Sequence, residues 1–492
     1  MDSPLVTTAQ MRAAEQSAFG RGATPEQLMD QAGAGIARTV TNRFPEAGHC
    51  LAFVGKGHNG GDALVAAKHL RELNWTVEVR LPFAEAECSE LTRKKLRTLR
   101  DVPKKCGQRL RQTVILDGLL GIGSHGPLRE PIRAACREMN QRRQSANATV
   151  FAIDVPTGLD ADSGQADPDC VVADITVTIG FAKAGLLADE AIDFVGRLEV
   201  ISLEDLEPSG LTNDRIVASH AVLRSLLPRR RFGAYKNQFG RVGIVAGSKG
   251  LTGAAVLCTL GALRGGAGLV HLFVPEEIYS VVAAASTPEA MIRPIVSYAA
   301  LQDEPIDVWA VGPGLGHEDA AQILEFIERA AQPMVVDADG LNALADDIGV
   351  LERCRGPRLL TPHPGEMERL DPGGEHDRAA RARAFTARHE VTLLLKGSRT
   401  IVAERNAPLS YNTTGHPAMA TGGIGDVTTG LCAALIAQNL SPYDAARVGA
   451  WISGRAAEIA LFRGTQSEQS LIARDVVDHL GAAFSDLQNA VD

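Results

Sequence analysis

The stretch Leu51-Ala52-Phe53-Val54-Gly55-Lys56-Gly57-His58-Asn59-Gly60-Gly61-Asp62 reads as a short buried strand and a glycine loop that opens into a helix over residues 63–73. Outward from it the same grammar repeats. Upstream, residues 8–40 carry Met11, Ala14, Ala18, Leu28, Met29, Ala32 and Ile36 at helical spacing, interrupted near Gly20 to Pro25. Downstream, strands are expected at 77–81, 114–117, 150–154, 175–179 and 198–201, with a basic amphipathic helix around 89–99 and another helix over 127–140. Strands alternating with helices predict a parallel sheet covered on both faces, so the fold class is α/β.

Three successive strands of this half end in polar turns: His58-Asn59-Gly60-Gly61-Asp62, then Asp117-Gly118-Leu119-Leu120-Gly121-Ile122-Gly123, then Asp154-Val155-Pro156-Thr157-Gly158. Each alone also fits an ordinary glycine turn, a helix-capping Asp or a proline turn. Ligands of parallel sheets sit at the carboxyl ends of strands, so the three together point to one site. It would offer glycine amides to phosphates and the oxygens of Asn59, Asp117 and Thr157 to a hard cation. Without His or Cys donors, zinc and copper are not expected there.

Residues 202–218 lose the periodicity and are expected to form a linker. The alternation then resumes at 241–248, with a small-residue helix at 253–266 and a strand at 269–274. A strand at 307–311 opens into Gly312-Pro313-Gly314-Leu315-Gly316, and further strands end near Asp337, Thr361 and Lys396. The set closes on Gly422-Gly423-Ile424-Gly425-Asp426, ahead of a small and apolar helix at 427–437. Glycines at a helix start let backbone N–H groups crowd an anion at the positive end of the dipole. Asp426 beside a bound phosphate would handle a proton or a metal, unless it only caps the helix.

The length of 492 residues calls for two or three domains. Fifty-nine acidic against 50 basic residues, a net charge of −9, leave no basic surface expected for nucleic acid. The eight cysteines form no CxxC pair, which suits a reduced, cytoplasmic setting. The N-terminus has no basic and apolar leader pattern and no long apolar span follows, so a chain without membrane partners is expected.

Taken in order, these motifs resemble those of the bifunctional NAD(P)H-hydrate repair enzymes, over nearly the whole chain. The resemblance rests on residues 57–62, Asp117 with 121–123, residues 154–158, 312–316, Asp337-Ala338-Asp339-Gly340-Leu341-Asn342, Thr361-Pro362-His363-Pro364-Gly365-Glu366, Lys396-Gly397 and 422–426. It implies a Rossmann-like NAD(P)H-hydrate epimerase domain at 1–215 and a ribokinase-like NAD(P)H-hydrate dehydratase domain at 220–492. The first would interconvert the R and S hydrates of NADH or NADPH, and the second would dehydrate the S form at the expense of ADP or ATP. By the same resemblance the epimerase would hold hydrated NAD(P)H with His58, Asn59, Gly60, Gly61, Asp62, Gly121, Ile122, Gly123, Ser124, His125, Gly126, Pro127 and Asp154. Asp154 would act near the chemistry, and Asn59, Asp117 and Thr157 would bind potassium.

In the dehydratase, Ala254, Gly314, Gly316, His363 and Asp426 would meet the hydrated coenzyme, with Asp426 as the catalytic base. Lys396, Gly397, Ser398, Arg399, Thr400 and Gly425 would contact the adenine nucleotide. Magnesium would accompany the phosphates near Asp337 and Asp339, and a homo-oligomer is expected. The chain departs from the family pattern at His58, often Asn; at Thr157, commonly Ser; and at Ile424, usually small, which puts a bulkier side chain near the anion hole. The loop Tyr235-Lys236-Asn237-Gln238-Phe239-Gly240 lacks the glycine expected after Lys236. A small-molecule kinase carrying a non-catalytic N-terminal module is the alternative reading.

Overall fold

The computed structural model describes residues 2–103, 112–123, 126–146, 148–208, 210, 214–227 and 229–489. They form two compact units, Ser3–Asn213 and Asp214–Asp492 with Met1–Asp2.

After a short strand, Ser3–Val6, the first unit has two helices, α1 (Thr8–Gly20) and α2 (Pro25–Arg43), each opened by a threonine capping box, Thr7 with Gln10 and Thr24 with Gln27. The alternation then follows as β1 (His49–Val54), α3 (His58–Glu72), β2 (Thr76–Arg80), α4 (Glu90–Asp101), β3 (Thr113–Gly118), α5 (Ile132–Ser145), β4 (Thr149–Ile153), β5 (Ile175–Ile179) and β6 (Arg197–Ile201). The sheet order is β2-β1-β3-β4-β5-β6, and every pairing is parallel. The order reverses beside β1. Both faces are covered: Cys50, Ala52 and Val54 of β1 join the core under α2, α3 and α4, while Leu51 and Phe53 join the core under α5.

Two helix starts in this unit differ by five residues from those read in the sequence. Helix α3 starts at His58 rather than at 63, which brings Asn59–Asp62 into its N-terminal end. Helix α5 starts at Ile132 rather than at 127: Pro127 and Pro131 offer no N–H, and the Leu128 N–H is taken by Asp167 Oδ2 at 2.9 Å, so the chain there is a loop.

Among its described residues the second unit carries ten strands: β7 (Arg215–Val217), β8 (Arg241–Val245), β9 (Leu269–Pro275), β10 (Met291–Ile295), β11 (Val308–Val311), β12 (Met334–Val336), β13 (Arg358–Leu360), β14 (Thr392–Leu395), β15 (Ile401–Ala403) and β16 (Leu409–Tyr411). Their order is β10-β9-β8-β11-β12-β13-β14-β15-β16-β7. It is parallel from β10 to β14, and β15 is antiparallel to both of its neighbours. Strand β7 pairs with β16, so the far end of the expected linker belongs to this sheet.

The helices that matter below are α6 (Thr252–Arg264), α7 (Ala320–Arg329), α8 (Ala338–Asp346), α9 (Pro364–Leu370), α10 (Arg378–Arg388) and α11 (Ile424–Ala437). From Val427 to Ala437 every residue of α11 is buried, as expected of a helix apolar on all sides. No helix among the described residues is long and apolar enough to cross a membrane.

Candidate active sites

In the first unit the polar groups stand at the carboxyl ends of four neighbouring strands, β1, β3, β4 and β5. Asp117, at the end of β3, is fully buried. Its Oδ2 accepts the Thr157 N–H at 2.8 Å, and its Oδ1 accepts the Thr157 hydroxyl at 2.7 Å and the Leu119 N–H at 3.3 Å. Burial still pushes its carboxyl up to about 6. Thr157 Oγ1 accepts the Leu120 N–H at 3.1 Å, and Asn59 Nδ2 donates to the Leu120 carbonyl at 2.8 Å. Asn59, Asp117 and Thr157 are therefore brought together around Leu120. Asn59 Oδ1 is buried and accepts no hydrogen bond among the described residues. An orphaned oxygen beside a buried carboxylate is costly unless a cation meets them, so this donor set fits potassium.

Asp154 follows β4 with φ of +66°, a conformation disfavoured for a residue with a side chain. Its N–H donates to the Val177 carbonyl at 2.8 Å. Its Oδ1 pairs with the Lys183 ammonium and accepts from Ile179 N at 3.3 Å and Thr178 Oγ1 at 3.4 Å. Lys183, only 1% exposed, also donates to Thr178 Oγ1 at 3.1 Å and to the Ile179 carbonyl at 2.8 Å. All these bonds leave Oδ2 on the other side, 3.4 Å from where a Cβ on Gly121 would stand; Asn59 Cγ is equally near that point.

Asp62, just beyond the first turn of α3, is buried. Burial first, then the charges of Asp154 and Glu15, hold its carboxyl well above the usual carboxylate range. Burial and Asp154 also raise Glu15 of α1. Gly60 and Gly61 are buried behind it, whereas His58 is exposed at the helix start. Gly126 and Pro127, with Leu120, Gly158, Ser163 and Asp167, line a cleft of about 320 Å³. Ile122 and Gly123 are partly or fully exposed on the way to it, and Ser124 and His125 lie outside the described residues.

Lys183 and Glu15 were missed in the sequence. Lys183 comes just after β5, but only its burial sets it apart from an ordinary solvated lysine.

In the second unit the carboxyl ends of β8, β11, β12, β13 and β14 lie side by side, and α11 points its first turn at them. Gly423 is the N-cap, with φ of +89°, and a Cβ on it would lie 2.5 Å from Leu257 Cδ1, so only glycine fits. Asp426 is thereby in the helical first turn and is not the cap. Its carboxyl makes no hydrogen bond among the described residues. Burial first, then the charge of Asp337, push its carboxyl up to about 7, against the pull of Lys396. Ile424 turns its side chain into the hydrophobic core rather than toward the anion-binding turn, and the obstruction expected there does not arise.

Asp337, at the end of β12, pairs with Lys396 Nζ at 2.6 Å and accepts the Thr429 hydroxyl at 2.7 Å. Burial works against its charge, yet these partners lower its pKa. Asp339 of α8 accepts the Gly316 N–H at 2.8 Å and Asn342 Nδ2 at 3.1 Å. Gly314 faces Ala254 of α6: a Cβ on the glycine would lie 2.9 Å from that of the alanine.

His363 caps α9. Its Nδ1 accepts the Gly365 and Glu366 N–H groups at 3.0 and 3.3 Å, while the ring stays 52% exposed. Beyond Lys396, Gly397 and Ser398 are exposed, Arg399 is buried with φ of +61°, and the Thr400 hydroxyl donates to the Gly397 carbonyl at 3.1 Å. Arg378 of α10, absent from the sequence reading, donates to the carbonyls of Lys396 at 3.2 Å and Ser398 at 3.1 Å and so shapes this loop.

The geometry defines an α/β protein with two clusters of polar side chains at the carboxyl edges of two parallel sheets, the second cluster holding a raised carboxylate in a glycine-led helix start. The model for NAD(P)H-hydrate dehydratase matches residues 242–475, and that for the YjeF-related protein N-terminus matches residues 25–185. A bifunctional NAD(P)H-hydrate repair enzyme of Moorella thermoacetica is 35% identical over 530 residues, covering 99% of this chain and 98% of that protein. One from Escherichia coli is 32% identical over 499 residues, with 98% and 92% covered. A crystal structure of a ribokinase-like superfamily protein from Enterococcus faecalis matches 56% of this chain and 98% of its own, with a TM-score of 0.50 at 23% identity, a likeness of fold. The chain belongs to the family of bifunctional NAD(P)H-hydrate repair enzymes.

Proposed function

We propose that residues 1–215 epimerise the R and S hydrates of NADH and NADPH, and that residues 220–492 dehydrate the S form with ADP or ATP. The observation that carries this reading is Asp426: an unpaired carboxylate, raised to about 7, in the first turn of a helix whose preceding glycines present backbone donors.

The chemistry follows from a poor leaving group. Asp426 takes the proton of the C6 hydroxyl, the oxygen attacks the terminal phosphorus of the nucleotide, and the shortened nucleotide leaves. Phosphate then departs from C6 with its bonding electrons, a proton is lost from C5, and the C5=C6 bond of NAD(P)H forms. The amides of the 422–425 turn and Lys396 stabilise charge on the transferring group. The loop from Lys396 to Thr400, with Gly425, holds the nucleotide; Ala254, Gly314, Gly316 and His363 hold the hydrated coenzyme.

Magnesium fits as a companion of the polyphosphate rather than as a protein-bound ion. Asp337 and Asp339 already have partners on both carboxylate oxygens, and four acids around one lysine would repel a nucleotide that brought no cation. When bound, it neutralises phosphate charge.

In the first unit, Asp154 acts through Oδ2, the oxygen turned toward Gly121, and the hydrated coenzyme lies along residues 58–62 and 121–127. Potassium, held by Asn59, Asp117 and Thr157, would order the turns that carry these groups. The exposed Phe232 and Tyr235 favour self-association into a homo-oligomer, and the free cysteines favour a cytoplasmic setting.

The test is recovery of NADH absorbance from an R/S mixture of hydrated NADH with magnesium, potassium and ADP or ATP. Complete recovery supports both activities. Recovery of the S fraction alone removes the epimerase. No recovery, with nucleotide consumed against other alcohols, makes the second unit a kinase.

A further inference from the structure

In the second unit one ammonium is surrounded by acids. Lys396, at the end of β14, faces Asp337 at the end of β12, Glu366 of α9 and Asp426 of α11. Asp426 in turn faces Asp339 of α8, and Cys258 of α6 lies in the same field. A lysine on a four-carbon stem could serve any of these carboxylates. The structure gives it to Asp337, at 2.6 Å.

Asp337 is itself fixed from the other side. Thr429 Oγ1 lies 2.7 Å from Asp337 Oδ2 and 3.0 Å from the Gly425 carbonyl, one turn earlier on α11, and its single proton serves both. A Cβ on Gly425 would stand 3.2 Å from Lys396 Nζ and 3.4 Å from Asp337 Oδ2. The ion pair therefore lies directly under the anion-binding turn, with only a glycine between them.

We propose that Asp337 is a positioning residue of the dehydratase: it holds the Lys396 ammonium beneath Gly425, where the transferring phosphoryl group arrives, and keeps it off Asp426. The inference rests on Asp426 being the base. Without Asp337 the lysine would be released to the acids that remain around it, Glu366 and Asp426, and two functions would fail together. The phosphoryl group would lose a cation held in one place, and the base would be neutralised whenever the ammonium swung to it.

The experiment uses the full chain carrying Asp337→Asn, which keeps shape and removes charge, beside Thr429→Val, Lys396→Met and the Asp337→Asn/Lys396→Met double variant. Dehydration of the S hydrate is followed across pH, and thermal unfolding of the second unit in the same preparation reports that it is folded. In Asp337→Asn, kcat should fall roughly tenfold or more, KM for the hydrate should change less than about threefold, and the acidic limb of the kcat profile should move to lower pH. Thr429→Val should shift both in the same direction, by less.

The double variant should be little worse than Lys396→Met, because Asp337 acts through the lysine. A wild-type kcat in Asp337→Asn, a fall in kcat with an unmoved limb, or a fully additive double variant would each overturn the proposal. If Asp337→Asn does not fold, Thr429→Val and its unmoved or moved limb decide. Dehydration persisting in Asp426→Asn would instead sink the reading of the base itself, whatever Asp337 does.

Discussion

The two sites use the same ingredients, an aspartate and a lysine at the carboxyl edge of a parallel sheet, in opposite ways. In the first unit Lys183 sits on Asp154 itself, and two further donors share the same oxygen. In the second unit the lysine is diverted to Asp337, and Asp426 is left without a hydrogen-bond partner among the described residues, at about 7. A carboxylate locked by a cation is a fixed contact with one oxygen to spare. One left unpaired is pushed up to about 7, by burial first and then by the charge of the acid beside it.

The sharpest way to break the comparison is Asp426→Asn. Loss of a general base should lower dehydration by roughly 10²–10⁴-fold and leave epimerisation as it was. Measured on one preparation with both isomers, equal loss of the two reactions would mean that the sites are not separate.

Next in size is Lys183→Met. It removes the cation from a buried pair, so epimerisation should drop roughly tenfold or more, and unfolding of the first unit should be easier by about 3–5 kcal/mol. Thermal unfolding and the epimerase rate check this, and unchanged epimerisation would show that Asp154 needs no lysine.

The third prediction concerns pH. Asp426 must give up its own proton before it can accept another, and its raised value means that it does so only as pH climbs through about 7. Dehydration at saturating substrate should therefore rise roughly tenfold from one pH unit below that value to one above. A flat profile across the range would place the base elsewhere.

A smaller effect is expected from Asn59→Ala, which deletes the orphaned oxygen. The potassium concentration that supports epimerisation should rise roughly tenfold, with dehydration unaffected. Smallest of all, Gly121→Ala would put a methyl at ordinary contact distance from Asp154 Oδ2, on the path given to the coenzyme, so epimerisation should fall by roughly threefold. An unchanged rate would mean that the coenzyme does not pass within contact of Gly121.

Much of this was legible beforehand because strand-end motifs are contiguous. Asn59, Asp117, Asp154 and Thr157 each follow an apolar run, and Gly422-Gly423-Ile424-Gly425-Asp426 announces a helix start that can receive an anion. Lys183 was not legible in the same way. A lone lysine in Phe181-Ala182-Lys183-Ala184-Gly185 reads as solvated until burial is known, and here it is almost wholly enclosed. Ile424 looked like an intrusion on the anion hole, yet beginning the helix at that residue sends its side chain into the core and leaves only its backbone at the turn. The same earlier start of α11 gave the cap to Gly423 and left Asp426 free.

By itself the sequence determined the α/β alternation, the two halves and the glycine-rich turns, since periodicity and turn chemistry act over a few residues. Which acid each lysine serves was decided only by the tertiary structure. Lys396 meets Asp337 across 59 residues of chain, and Thr429 meets it across 92, because β12 and β14 flank β13 and α11 drops its first turn over their ends. No local pattern carries that information: charges are paired by where the sheet order sets them down, and the strength of each pairing follows from distance and burial there.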